Sequence, residues 1–345
     1  MRQIPKPAVL VAALALGLSL ATVYVEYRGL LDLSLGASPR AYIEHDVLAA
    51  HRAVLDGVVG DPWRFRLLSD WGAEGFLRLA RAVGFDQPGV AGFLTFRVLQ
   101  NTLIFVLAWL YYRRLGATRA AAALGLGLVA WAMTQSLLHA GLAFNTYGDV
   151  VFYLAAALLI LDRRYAWIVP LAVLAAVNRE TSGLIPVMLV AHALWIGRRT
   201  PEGRRALRLG LTALAAFAAT YGIVRLAVGP ADLILGNGRH PGFEIFEYNV
   251  GRGLTWDNLF RTVNILPLLA VAAWRSWPPA LRAFGLAIVP AWLLIHVFSG
   301  VLAESRLLLV PLVMVFVPGV LAGLDSSDRS ATIRTERIEE GEACP

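Results

Sequence analysis

Ten apolar runs punctuate the chain, at residues 8–25, 91–112, 120–138, 147–161, 165–177, 183–196, 209–228, 262–275, 281–299 and 307–323. Unbroken apolar stretches of about 20 residues predict helices that cross a bilayer. The strict alternation that marks a barrel strand is absent from them. Several runs are shorter than a full crossing. The pair 147–161 and 165–177 reads as a candidate re-entrant hairpin, whose backbone groups would have to be satisfied within protein. The expected fold is all-α: a polytopic transmembrane helical bundle of about ten spans, or eight if 147–177 is re-entrant. It forms one domain over residues 1–323. The first run follows Met1-Arg2-Gln3-Ile4-Pro5-Lys6, a basic start that also suits a signal peptide. Its length and the runs behind it favour a retained helix.

Composition removes the alternatives. Hydrophobic residues make up 58% of the 345 positions and charged residues 16%, against about 25% charged in soluble domains. That excludes a soluble enzyme, collagen, a coiled coil and a disordered chain. The formal charge is +7, carried by 30 arginines and a single lysine, Lys6. Most arginines sit at the ends of apolar runs, so they are read as topology signals and not as a nucleic-acid surface. The one cysteine, Cys344, falls in the polar tail, which leaves the body without a disulfide, a Cys-rich zinc site or a thiol nucleophile.

Charge asymmetry sets the expected orientation. With the N-terminus in the cytoplasm, the cytoplasmic connections hold Arg113, Arg114, Arg119, Arg163, Arg164, Arg198, Arg199, Arg204, Arg205, Arg208, Arg275 and Arg282. The short outer connections hold only Arg179 and Arg306. Both termini are then cytoplasmic in a multi-pass membrane protein. Two long segments face outward, 26–90 and 229–261, and residues 324–345 form a disordered tail.

Four polar clusters gather on that outer side. Segment 26–90 carries Glu44-His45-Asp46, then apolar positions with partly helical spacing that read as interfacial helices, then Pro62-Trp63-Arg64-Phe65-Arg66-Leu67-Leu68. Trp63 and Trp71 suit the headgroup level and are read as anchors. The others are Asn145–Asp149, Asn178-Arg179-Glu180-Thr181 and Glu304-Ser305-Arg306. Charges beside apolar runs need partners, and adjacent residues cannot supply them to each other. Convergence of the clusters on one site is therefore expected. Within the runs, Arg225 stands out as a charge embedded in a span.

The order of these features resembles the integral-membrane glycosyltransferases of the GT-C superfamily, and especially its small bacterial members. The points of likeness are the acids Glu44 and Asp46 in the first large outer loop, the Pro62–Leu68 stretch, the Asn178–Thr181 turn, and Glu304-Ser305-Arg306 running into Leu307–Pro311. The resemblance implies inverting transfer of a sugar from a polyprenyl-phosphate donor to an acceptor, at the outer face. It implies Asp46 as the base that takes the acceptor proton, with Glu44 second. His45 between the two acids departs from the family's paired-acid pattern. Arg66, Arg179 and Arg306 suit a phosphate leaving group, because a guanidinium is a fixed charge with a two-pronged donor face. Glu180 and Glu304 would orient these arginines or bind sugar hydroxyls. A divalent metal at Glu44-His45-Asp46 stays open as a cofactor, although three adjacent side chains diverge. No metal ligand set is assigned, and neither sugar nor acceptor is readable. The expected partners are the lipid-linked donor and membrane lipid. The competing readings are a multi-span transporter and a non-catalytic subunit of an envelope-polymer pathway.

Overall fold

The computed structural model describes residues 6–33, 38–60, 62–136, 142–229 and 238–324. The polar tail expected to be disordered lies outside the described residues from 325 onward, and residues 230–237 of the second long segment lie outside them too. The described residues are helical and contain no strand.

In chain order the helices are α1 (Lys6–Leu33), α2 (Leu48–Leu55), α3 (Leu67–Val83), α4 (Pro88–Arg114), α5 (Arg119–Gln135), α6 (Phe144–Leu161), α7 (Ile168–Asn178), α8 (Leu184–Trp195), α9 (Pro201–Val228), α10 (Phe243–Gly251), α11 (Gly253–Val263), α12 (Leu266–Ala272) and α13 (Pro279–Ser299). The last helical stretch, α14 (Ser305–Leu324), joins 3-10, α and π turns. Starts follow local chemistry. Thr118 and Thr200 accept hydrogen bonds from the Ala121 and Gly203 amides at the N-termini of α5 and α9, each satisfying a donor that the helix leaves unpaired. Gly84 takes the left-handed conformation (φ 87°) that closes α3.

Six helices are long and apolar enough to cross a membrane: α1 within Ala8–Leu30, α4, α6, α9, α13 and α14. The ten runs therefore do not map onto ten helices of spanning length. The run at 120–138 gives a helix of 17 residues, and 165–177 and 183–196 give helices of 11 and 12. At about 1.5 Å per residue, α7 and α8 reach ~16–18 Å, roughly half a hydrocarbon core. The run at 262–275 is broken at Asn264, which adopts a positive φ of 49°, and by Pro267 behind it. The expected re-entrant pair is also displaced. Residues 144–161 form a full-length helix, and the short hairpin is α7 with α8. The first long loop does not begin at 26, because α1 continues to Leu33 and encloses Glu26.

The packing places the polar clusters. α4 lies against α1, α3 and α6; α7 and α8 both run along α9, and α8 also packs on α13. One end of the bundle thus gathers the C-terminal ends of α7, α9 and α13 and the N-terminal ends of α6, α8 and α14. Where α14 begins, Pro311 has no N–H to give the Leu307 carbonyl one turn back, and Trp292 of α13 donates to that carbonyl instead at 2.7 Å. The stretch that follows, Leu312–Phe316, is a π turn. Tyr111 and Tyr112 of α4 donate to Met314 and Val313 at 2.9 and 3.0 Å.

Candidate functional site

A cavity of about 590 Å³ opens at this end. Its wall takes Trp63 and Arg66 from the turn before α3, Thr146 from the first turn of α6, Arg179–Thr181 from the α7–α8 turn, and Arg225 from α9. Tyr248, Arg252 and Leu254 come from α10, the residue after it and α11. Ile295, His296 and the 299–307 connection complete it.

The α7–α8 turn is held from several sides. Asn178, wholly buried, accepts from Ser69 Oγ at 2.5 Å and donates to the Asn145 carbonyl at 2.9 Å. Tyr153 donates to the Thr181 carbonyl at 2.6 Å. Asp149 of α6 is wholly buried and accepts from Thr181 Oγ1 at 2.9 Å and from the Ser182 hydroxyl. The turn thus presents Arg179 (3% exposed) to the cavity. Its Nη1 donates to Thr146 Oγ1 at 3.1 Å, while its Nε is buried with no hydrogen-bond partner among the described residues. Burial, and then the charge of Arg66, push the Arg179 guanidinium down to about 10, so it stays cationic at neutral pH.

Glu180 takes two guanidinium nitrogens of Arg66, Nε at 3.1 Å and Nη2 in closer contact. Burial alone would raise its carboxyl; Arg66 and Arg179 outweigh that and hold it down to about 2. Arg306 donates to Glu304 at 2.5 Å, and its own Nε is buried without a partner among the described residues. The connection that carries this pair is clamped from α10 and α11. Asn249 donates to the Val297 and Gly300 carbonyls at 3.0 and 2.8 Å and accepts from the Leu302 amide at 2.9 Å. Asn258 donates to the Ala303 carbonyl at 2.8 Å, and Thr262 meets Ser305 at 2.6 Å. Arg225 lies over the rings of Phe65 and Tyr221, and Arg252 over Tyr248, at 4.4, 4.9 and 4.6 Å from their centroids.

Five of the seven site residues read from the sequence therefore line one cavity: Arg66, Arg179, Glu180, Glu304 and Arg306. The two expected to do the chemistry do not. Glu44 accepts from the Val90 amide at 2.9 Å and so caps the N-terminus of α4, where a carboxylate complements the helix dipole. Asp46 is exposed on the π turn Ile43–Val47 and is not part of the cavity wall. Among the described residues no group of three or more His, Cys, Asp or Glu side chains is placed to hold a metal ion. Trp63, read as an anchor, lines the cavity, while Trp71 is 54% exposed.

Sequence reasoning missed the buried charges inside the long helices. Glu26 of α1 and Arg97 of α4 form a wholly enclosed pair at 3.0 Å. Arg97 also lies 3.7 Å from the Tyr147 ring centroid. Arg97 sits singly inside an apolar run and Glu26 just past the end of another, and the one available signal was the cost of such a charge in apolar surroundings. No family model, no curated protein and no solved structure matches this chain.

Proposed function

We propose that this chain is a multi-pass membrane protein that holds the phosphate of a lipid-linked sugar in this cavity and transfers the sugar to an acceptor hydroxyl. The observation that carries the reading is the meeting of Arg66, Arg179, Glu180, Glu304 and Arg306, from three separate stretches of chain, in one wall with Arg225 and Arg252. Five arginines face two glutamates there, and the Nε groups of Arg179 and Arg306 have no hydrogen-bond partner among the described residues. A phosphate supplies the matching acceptors, and its developing charge is stabilised most where water is scarce. Leu254 and Ile295 give the same wall apolar, part-exposed members against which a lipid chain could run.

In this reading the acceptor oxygen attacks the anomeric carbon while the carbon–oxygen bond to phosphate breaks. The bond's electron pair leaves on the lipid phosphate, facing the arginines, and the acceptor proton goes to a carboxylate. Glu180 is a poor choice of base, because Arg66 and Arg179 keep it ionised to about pH 2. Glu304 shares a single arginine and lines the wall, so the base role passes from Asp46 to Glu304. The orientation proposed is the one in which the arginine-fringed opposite end faces the cytoplasm of a bacterial inner membrane. Transport is the second reading, favoured by the enclosed Glu26–Arg97 pair. Both members are absorbed by each other and neither lines the cavity, so that pair is assigned to structure.

The test is incubation of the reconstituted protein with a panel of polyprenyl-phosphate sugars, scoring release of the lipid phosphate. Glu304→Gln is expected to abolish release, Arg179→Gln to lower it at least tenfold, and Asp46→Asn to leave it within twofold. Loss of turnover in a folded Asp46→Asn protein would return the base role to Asp46. No release from any donor would end the transfer reading.

A further inference from the structure

Away from the cavity, His51 of α2 is buried (4% exposed) between two carboxylates of α3. Its Nδ1 lies 3.3 Å from Asp70 Oδ1 and its Nε2 lies 3.2 Å from Glu74 Oε2. Asp70 and Glu74 are four residues apart and so share a helix face. The ring stands edge-on to Phe93 of α4, with centroids 5.1 Å apart. Glu74 also accepts from Arg78 Nε at 2.7 Å.

The geometry constrains the proton count. An ionised carboxylate only accepts hydrogen bonds, whereas a neutral imidazole donates from one nitrogen and accepts at the other. A neutral His51 can therefore satisfy one carboxylate while aiming a lone pair at its neighbour. The imidazolium donates to both, in two charge-assisted bonds. We infer that α2 is latched to α3 by the protonated form of His51, and that the latch opens when the ring loses its proton.

The latch bears on the cavity through α3. Arg66, Asp70 and Glu74 recur at intervals of four, and Ser69 between them bonds Asn178 of the α7–α8 turn. α2 packs as well on the turn Trp63–Phe65, whose Trp63 lines the cavity. The charged groups around the ring are Asp70 and Glu74, with Arg78 behind Glu74. α4 faces it with an apolar ring, Phe93. α2 itself adds Arg52 and Asp56 nearby in sequence, the turn before α3 adds Arg64, and the π turn Ile43–Val47 adds Glu44, His45 and Asp46, of which Glu44 is committed to α4. Burial would raise the Glu74 carboxyl, but its bonds to Arg78 and His51 draw it below the usual glutamate value. Glu74 therefore stays charged into acid, and the ring proton is the one that controls the latch.

Hydrogen exchange of residues 48–55, in the full chain in lipid nanodiscs, tests this once rates are corrected for the intrinsic effect of pH. Between pH 6 and pH 9 the wild type is expected to open at least tenfold more often. His51→Gln should be open at both values. Asp70→Asn should stay closed at pH 9, with less than a twofold change, because the amide can donate to a neutral Nδ1 while Nε2–H serves Glu74. A wild type without a pH effect would overturn the latch, as would an Asp70→Asn protein that opens at pH 9 as widely as the wild type. Asp70→Asn removes a charge and no atom contact, so it carries the test if His51→Gln fails to fold.

Discussion

The two ends of the bundle use the same residue in opposite ways. At one end Arg113, Arg114, Arg163, Arg164, Arg198, Arg199, Arg204, Arg205 and Arg208 are all exposed. Their contacts are peripheral: Arg114 meets Asp162, and Arg163 lies 3.1 Å from Glu202. At the other end Arg66 and Arg179 are buried, Arg306 is mostly covered, and each has a partner chosen by the fold. Exposed guanidinium groups keep their hydration and contribute little to stability. Buried ones lose it, and each must be answered by a carboxylate, a hydroxyl or a ligand. The contrast separates arginines left to water from arginines that the fold has to pair.

Substitutions sharpen that contrast. The largest effect is expected inside the bundle, where Arg97→Met leaves Glu26 enclosed and unpaired, a loss of about 3–5 kcal/mol. Adding Glu26→Gln should recover most of it, as read from denaturant titration in micelles. Next comes Gly148→Ala at the cavity end. A Cβ there would sit 2.7 Å from Ser69 Oγ and 3.0 Å from Asn178 Oδ1, and the Asn178 contacts that hold the Arg179 turn would have to give way. About 1–3 kcal/mol is expected, by the same titration. Acid should act at the cavity end as well. The Glu180 carboxyl is depressed on folding, so its contribution is complete above the ordinary glutamate range and is lost as pH falls toward about 2. Unfolding followed across that window should show a downward slope that Glu180→Gln flattens. Smallest of all, Arg204→Ala at the exposed end should change stability by no more than about 0.5 kcal/mol. A loss of several kcal/mol there would erase the distinction between the two ends.

Much of this was legible in the residue order. Apolar runs specify helices, and the scarcity of arginine between certain runs marks Arg179 and Arg306 as residues needing a special reason. What could not be read was pairing at long range. Glu26 and Arg97 are 71 positions apart, and neither alone points to the other as its partner. The two acceptors of His51 lie 19 and 23 residues further on, beyond what its own stretch of chain reveals. Asp46 stood out through adjacency to Glu44 and through resemblance. Adjacency in a helix sends side chains apart, and here it sent Glu44 to a helix terminus and Asp46 to solvent. The run lengths also hid the half-hairpin, since α7 and α8 look like ordinary spans trimmed by a few residues.

That half-hairpin makes the depth of the cavity a matter of counting. Its turn supplies Arg179–Thr181 to the cavity wall, and stands where the two short arms end. Lengthening each arm by one helical turn would lift Arg179 by about 5 Å and fill the space from below. Removing a turn would sink the charge among the alanines of α7. The chamber is in effect gauged by a ruler of 11 and 12 residues, so insertions and deletions in those arms should reshape what fits inside far more than they disturb the walls.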